Sequence, residues 1–284
     1  MPERRHVMER IAAIVMTCQR YMPIAEHMID CYRDRWPSHP FLFRLPDGTA
    51  SRELARRHTG QVELVPTDEG EARGKFRASV LGLLDGIHDD TWVYWCIDDK
   101  YVEWIDVRVA QSVVEMVSSI DDPAWSGVCF ARARHLERRT SGNDAAVKWR
   151  TLTLTRRFDY RQIWLHQFLR AKVLRTLFSG FPQVISAAKQ MDALHRAAQL
   201  PDGHRLYVLD RNAVVFGEST IAGRLTANCA ARMRARRGVP RGFEVDSAWV
   251  TIGQRPTRAG RLADSVRRRL SRLGALVASG AKRP

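Results

Sequence analysis

The chain has 284 residues, 45% of them apolar, enough to bury one large core or two small ones. No window is apolar over a membrane-spanning length. The first apolar run, Ile11 to Met16, is short and gives way to polar Thr17-Cys18-Gln19-Arg20, so it reads as a strand and not as a secretory signal. The five cysteines are scattered without CxxC spacing, which fits reduced thiols in a cytoplasmic protein and argues against a zinc site.

The net charge of +15 is unevenly spread. Residues 1–120 carry 15 Lys/Arg against 19 Asp/Glu, residues 121–223 carry 16 against 9, and residues 224–284 carry 15 against 3. A slightly acidic first part is therefore joined to a strongly basic remainder, and such asymmetry points to an anionic partner for the second part.

In chain order, Arg10 to Met16 predicts a strand, with Thr17 to Tyr21 as the loop at its carboxyl end. Pro23 suits the first turn of a helix, and Ile24, Met28, Ile29 and Tyr32 follow at helical spacing up to Trp36-Pro37. Phe41 to Leu45 predicts a second strand, closed by the turn Pro46-Asp47-Gly48, and Val62 to Pro66 a third. Lys75 to Ile87 has the spacing of a helix packed on a sheet. Thr91 to Cys96 is then an aromatic and β-branched run that fits a buried strand and ends in Ile97-Asp98-Asp99-Lys100. This β-α-β-β-α-β order argues for a parallel, Rossmann-like α/β half. Neither GxGxxG nor a P-loop is present, which excludes the usual dehydrogenase and P-loop NTPase signatures.

Further on, Ile105 to Ile120 predicts an amphipathic helix and Trp125 to Arg134 a strand. Thr151 to Thr155 alternates as a half-exposed strand does, and Lys172 to Phe178 is a helix ending at Gly180. Ser186 to Ala198 leads into and forms a short helix, Leu206 to Leu209 and Ala213 to Phe216 are short strands around Asp210-Arg211-Asn212, and Ala227 to Arg237 is an Arg-rich helix. Leu262, Val266, Leu270, Leu273 and Val277 fall on one face of a basic amphipathic tail helix, suited to the protein's own core, an anionic membrane or a polyanion.

Two adjacent carboxylates at the carboxyl end of a strand in an open α/β sheet make a seat for a divalent cation, which would in turn hold phosphates. The plainer alternative is that Asp98 and Asp99 occupy a solvated turn or cap the next segment.

The order of these pieces resembles a GT-A glycosyltransferase, most similar to small bacterial and phage enzymes related to family 2. The resemblance covers roughly residues 10–225 and rests on three features. Thr17-Cys18-Gln19-Arg20-Tyr21 stands where such enzymes begin to hold the nucleotide, and Asp98-Asp99 stands at the DxD-type motif. Gln162-Ile163-Trp164-Leu165-His166-Gln167-Phe168-Leu169 resembles the segment that precedes the catalytic carboxylate on the acceptor side. The chain reads Ile-Asp-Asp instead of a strict Asp-x-Asp, and Met191-Asp192 stands where the family has a Glu-Asp pair.

The resemblance implies a nucleotide-sugar-binding half over 1–120, an acceptor half of the same domain over 121–255 and a helical tail over 256–284. It implies Mn²⁺ or Mg²⁺ on Asp99 or Asp98 and a nucleotide-sugar donor, UDP by default. Thr17, Cys18, Gln19, Arg20 and Asp47 are donor-side candidates, with Lys75, Arg77 and Arg224 adding positive charge. His166 is a candidate for the metal shell or the acceptor, and Trp164 and Gln167 for the acceptor. Asp192 is the candidate general base for inverting transfer, with Glu218 as its rival.

The basic acceptor half suggests DNA bearing hydroxymethylated bases, held by Arg232, Arg234, Arg236, Arg237 and Arg241, with a flipped base beside Trp164. A glycolipid or surface glycan at a membrane is the alternative, and a non-catalytic nucleic-acid-binding protein the alternative of another class. The expected location is the cytoplasm, peripheral to the inner membrane in the second reading or a phage host's cytoplasm in the first.

Overall fold

A computed structural model describes residues 10–67, 75–131, 146–185 and 188–253. The first apolar run is strand β1 (Ile11–Met16), followed by a single 3-10 turn, Gln19–Tyr21. Helix α1 (Met22–Arg35) carries Pro23 in its first turn, where no backbone donor is missed. Strand β2 (Phe41–Pro46), helix α2 (Thr49–Arg57), strand β3 (Val62–Val65), helix α3 (Phe76–Leu83) and strand β4 (Trp92–Ile97) complete the first half.

The order is therefore β-α-β-α-β-α-β, and α2 corrects the expectation of two strands joined without a helix. β2 and β3 pair in parallel, and a parallel pair needs a crossover that a tight turn cannot make. Only Ser51 and Leu54 of α2 are buried, so its apolar signal is slight.

The second half holds β5 (Lys100–Ile105), α4 (Val107–Ser119), β6 (Trp125–Cys129), β7 (Val147–Trp149), β8 (Leu152–Arg157) and β9 (Gln167–Arg170). Next come α5 (Ala171–Ser179), α6 (Ala188–Ala197), β10 (Arg205–Leu209), β11 (Val214–Glu218), β12 (Thr220–Ile221), β13 (Arg224–Leu225), α7 (Ala227–Arg236) and β14 (Thr251–Ile252). Side-chain oxygens of Asp106 and Thr226 cap α4 and α7 by accepting from Val109 and Cys229 N–H groups. The predicted tail helix and residues 132–134 of the strand predicted over 125–134 lie outside the described residues.

Nine strands form one sheet in the order β3-β2-β1-β4-β9-β6-β10-β8-β7. β3, β2, β1 and β4 run parallel, as expected for the first half. β9 is antiparallel to both β4 and β6 and joins the two halves into one sheet.

Side chains of β4 alternate between two cores. Tyr94 and Cys96 join a cluster with α1, α4 and α7, while Val93, Trp95 and Ile97 join one with α3, α5 and α6. Helices on both faces explain why the strand reads as a continuous apolar run.

β5, β11 and β14 form a second, antiparallel sheet. The turn at residues 210–212 thus does not close a hairpin: β10 belongs to the large sheet and β11 to the small one. A Cβ on Gly217 would lie 2.2 Å from the buried Tyr101 ring, so glycine is what lets β11 approach β5 there.

Candidate active site

Parallel pairing brings the ends of β1 and β4 together, with Met16 in register with Ile97. The Asp98 N–H donates to the Met16 carbonyl at 3.2 Å, and Asp98-Asp99 forms the tight turn from β4 into β5. The Ser219 N–H donates to the Asp99 carbonyl at 2.6 Å, tying that turn to the end of β11. Asp98 and Asp99 thus form a turn, as the plainer alternative had it. The turn opens on a cavity of about 1070 Å³ at the carboxyl end of the parallel strands, where ligands of open α/β sheets collect.

Three groups of residues contribute to this cavity. Thr17, Cys18, Asp98 and Asp99 come from the ends of β1 and β4. Gln162, Trp164, Asp192 and His195 come from the turns before β9 and from α6. Glu218, Thr220 and Gly223 come from β11 and the β12–β13 hairpin.

The electrostatic centre is Lys100. Its Nζ donates to Asp99 at 2.9 Å and to Glu218 at 2.7 Å, and its side chain is only 6% exposed. Burial alone would lower the ammonium's pKa, but the two carboxylates raise it above the ordinary value. Asp98 is pushed up to about 7, chiefly by burial. The Thr17 hydroxyl holds it down, the Asp99 charge raises it and Lys100 lowers it.

Asp99 and Glu218 both converge on one cationic atom, and with Asp98 they outnumber it. A diphosphate brought here meets an excess of negative charge unless a cation accompanies it. Carboxylate oxygens are the donors that Mg²⁺ or Mn²⁺ takes, but among the described residues no three His, Cys, Asp or Glu side chains are grouped to hold a metal ion, and the Lys100 ammonium occupies the point where Asp99 and Glu218 converge.

Opposite the carboxylates, the Trp164 indole N–H donates to His195 Nδ1 at 3.0 Å, and Asp192 lies 3.8 Å from that nitrogen. Burial lowers the His195 pKa. Asp192 is half-exposed on the cavity side of α6.

Seven sequence candidates meet in this cavity: Thr17, Cys18, Asp98, Asp99, Trp164, Asp192 and Glu218. Others stand apart from it. Gln19 accepts from the Ala50 N–H and secures the loop after β2, and Arg20 lies against the Tyr21 and Phe243 rings. Asp47 forms an exposed two-bond pair with Arg52, Lys75 immediately precedes α3, and Arg77 donates to the Phe181 carbonyl. Arg224 pairs with Glu244 and Asp246.

Two assignments are corrected. His166 is fully buried: its Nδ1 meets the Tyr32 hydroxyl at 2.7 Å and its Nε2 the Ile97 carbonyl at 2.8 Å, so neither nitrogen is available to a metal. Gln167 is also fully buried, accepting from Arg157 and donating to the Gln162 and Leu165 carbonyls. It holds the wall from behind and does not touch an acceptor.

The arginine cluster is largely committed within the fold. Arg236 pairs with Asp34 and Asp30, Arg237 with Glu26 and Asp30, and Arg232 sits 3.8 Å from Glu103 and over the Tyr101 ring. Among the described residues only Arg234 and Arg241 of the five have no ion pair. Arg236 and Arg237 at the end of α7 are thus matched by acids of α1.

Sequence reasoning missed Lys100, Gln162 and His195. Lys100 directly follows the acid pair, and His195 lies three residues after Asp192 on one helix face, so spacing held a signal for both. Gln162 opens the segment quoted for the acceptor side, but nothing in the sequence singles it out from its neighbours there.

Strand order and site define a mixed α/β fold in which four parallel strands end beside the paired acids and the antiparallel β9 joins them to the rest of the sheet. No family model and no curated protein matches the chain. Among solved structures it is similar to the galactosyltransferase LgtC in complex with donor and acceptor sugar analogues, at 10% identity over 87% of this chain and 88% of that one, TM-score 0.37. It is similar to the mannosyltransferase PcManGT of Pyrobaculum calidifontis in complex with GDP-Man and Mn²⁺, at 19% identity over 70% of this chain and 56% of that one, TM-score 0.39. It is also similar to a 4-diphosphocytidyl-2C-methyl-D-erythritol synthase, at 11% identity over 80% and 98%, TM-score 0.40. Likeness at this level assigns neither donor nor acceptor.

Proposed function

We propose that the protein transfers a sugar from a nucleotide-diphosphate sugar to an acceptor hydroxyl, with inversion at the anomeric carbon. The observation that carries this reading is the cavity itself. The paired acids at the end of β4, with Glu218 and Lys100, share it with a separate half-exposed carboxylate, Asp192, on α6.

In the reaction, the acceptor oxygen attacks the anomeric carbon and the bond from that carbon to the diphosphate oxygen breaks. The electron pair leaves with the diphosphate, and the acceptor proton passes to the Asp192 carboxylate. Asp99, with Glu218 or Asp98, would hold the divalent cation once it displaced the Lys100 ammonium, and the ion supplies Lewis-acid neutralisation of the leaving diphosphate. Lys100 keeps Asp99 and Glu218 together at one point. The buried His195–Trp164 contact fixes the wall on which Asp192 stands.

The test offers UDP-, GDP-, ADP- and CDP-sugars with Mn²⁺, and hydroxymethylated DNA, glycosides or glycolipid as acceptors. Transfer is expected with one donor, lost on Asp99→Asn and on Asp192→Asn. Consumption of no donor under any combination, or full activity of Asp99→Asn, would refute sugar transfer and favour a non-catalytic binding protein. UDP is the first donor to try, on the family resemblance.

A further inference from the structure

We infer that the β12–β13 hairpin and the stretch before β14, at the rim of the cavity, dock on an anionic lipid surface together with residues 254–284.

Single exposed apolar side chains are ordinary on a protein surface. Trp249 and Ile221 differ in how they are held. Trp249 is 66% exposed, the most exposed large apolar side chain among the described residues. Backbone bonds fix the residues on both sides of it. The Ala248 carbonyl accepts from the Ala227 N–H at 2.8 Å, and the Val250 carbonyl accepts from the Glu218 N–H and from Asn228 Nδ2, each at 3.0 Å. The indole therefore projects from a fixed backbone.

Ile221, also exposed, stands in the β12–β13 hairpin. That hairpin is tied to the same stretch: the Leu225 N–H donates to the Glu244 carbonyl at 2.8 Å, and the Asp246 N–H to the Leu225 carbonyl at 2.7 Å. Thr220, Ala222 and Gly223 of the hairpin line the cavity, as does Ile252 of β14. The two exposed side chains thus belong to one hydrogen-bonded unit at the cavity rim. Its acids, Glu244 and Asp246, are matched by Arg224.

The sequence that follows this unit supplies the charge. Residues 254–284, outside the described residues, hold nine Lys/Arg against one Asp. Leu262, Val266, Leu270, Leu273 and Val277 recur among them at helical spacing. Interfacial helices bind bilayers with this pattern, the apolar face toward the acyl chains and the arginines toward anionic headgroups. Tryptophan favours the same boundary, where its ring is covered and its N–H stays wet. A nucleic acid would engage the arginines and leave the apolar stripe, Trp249 and Ile221 unused. A lipid surface engages all of them, and docking there brings the cavity rim to the level of the headgroups.

The test floats the full chain with vesicles of POPC alone and of equimolar POPC and POPG, at low and high salt, beside a retention assay on duplex DNA. Wild type is expected to float with the POPG vesicles at low salt and not with POPC alone. Replacing Arg267, Arg268 and Arg269 together by glutamine should weaken that binding by ~100-fold, from about 1 kcal/mol per arginine at an anionic surface. Trp249→Ser should weaken it by about tenfold and leave the melting temperature unchanged, since the indole packs on nothing that the fold needs. Brominated lipid should quench the tryptophan fluorescence of wild type more than that of Trp249→Ser. Absence of POPG-dependent flotation overturns the inference, as does flotation that Trp249→Ser leaves unchanged. Tight retention on DNA without flotation overturns it in favour of a polyanion. No nucleotide sugar enters this assay, so its failure and the failure of the sugar-transfer reading are separate results.

Discussion

Replacing Lys100 by methionine removes the cation that joins Asp99 to Glu218 while keeping the side-chain volume. Breaking a buried ion pair by removing one partner costs about 3–5 kcal/mol, since the other charge is left uncompensated. Here the orphaned carboxylates are 35% and 23% exposed, so water screens part of the loss. The expected cost is therefore ~2–4 kcal/mol. With an unfolding entropy of ~2.1 cal/mol/K per residue, that lowers the melting temperature of a chain this size by ~3–7 °C.

The same change frees both carboxylates for a metal. Mn²⁺ at about 100 times its Kd would return ~2.7 kcal/mol. Calorimetric melts of wild type and Lys100→Met, in EDTA and across a Mn²⁺ titration, read both effects. The variant should melt well below wild type in EDTA and recover most of the difference with Mn²⁺. A variant that melts with wild type in EDTA would show that the Lys100 bridge contributes nothing. A deficit that Mn²⁺ leaves untouched would refute the cation seat at Asp99 and Glu218.

Acid should destabilise the fold in a defined window. Burial, the largest cause in each case, lowers His27 and His166 to about 3 and His39 to about 4, against 6.5 when unfolded. Their contribution is present in full above pH 6.5 and is lost as pH falls toward 3–4, because the unfolded chain takes up protons that the fold refuses. Each histidine contributes at most ~1.4 kcal/mol per pH unit in that window. Urea midpoints at pH 7 and pH 5 should show the drop, and His166→Gln should shrink it by less than a third, since burial lowers His58, His195 and His204 as well; an unchanged drop would rule His166 out as a contributor. Arg237→Ala should cost only ~1 kcal/mol by denaturant unfolding, because Glu26 keeps Arg57 and Asp30 keeps Arg33 and Arg236, and should leave retention on DNA unchanged. A marked loss of DNA retention with little loss of stability would restore a nucleic-acid role to α7.

Much of the first half was legible in the sequence because its signals are local. β4 reads directly from its apolar run, since helices cover both of its faces and every position from Val93 to Ile97 is buried. Pro23 and Gly180 mark helix ends by backbone chemistry alone. β5 was not legible: it carries Lys100 and Glu103, charges that a strand interior tolerates here only because Lys100 meets Asp99 and Glu218, and Glu103 meets Tyr101 and Asn228.

By itself, then, the sequence determined the parallel α/β half, the acids at the end of β4 and the Asp192 carboxylate downstream, each written in short runs with their own periodicity. Only the tertiary structure decided what the charges do. The arginines of α7 meet acids of α1 some 200 residues earlier, from Glu26 to Arg237, and no local pattern encodes that meeting. It also decided that His166 is enclosed by Tyr32 and the Ile97 carbonyl, while Gln162, four residues earlier, is buried with no partner for its amide among the described residues. Whether a polar side chain is satisfied depends on what the fold packs against it, and that is set by contacts distant in the chain.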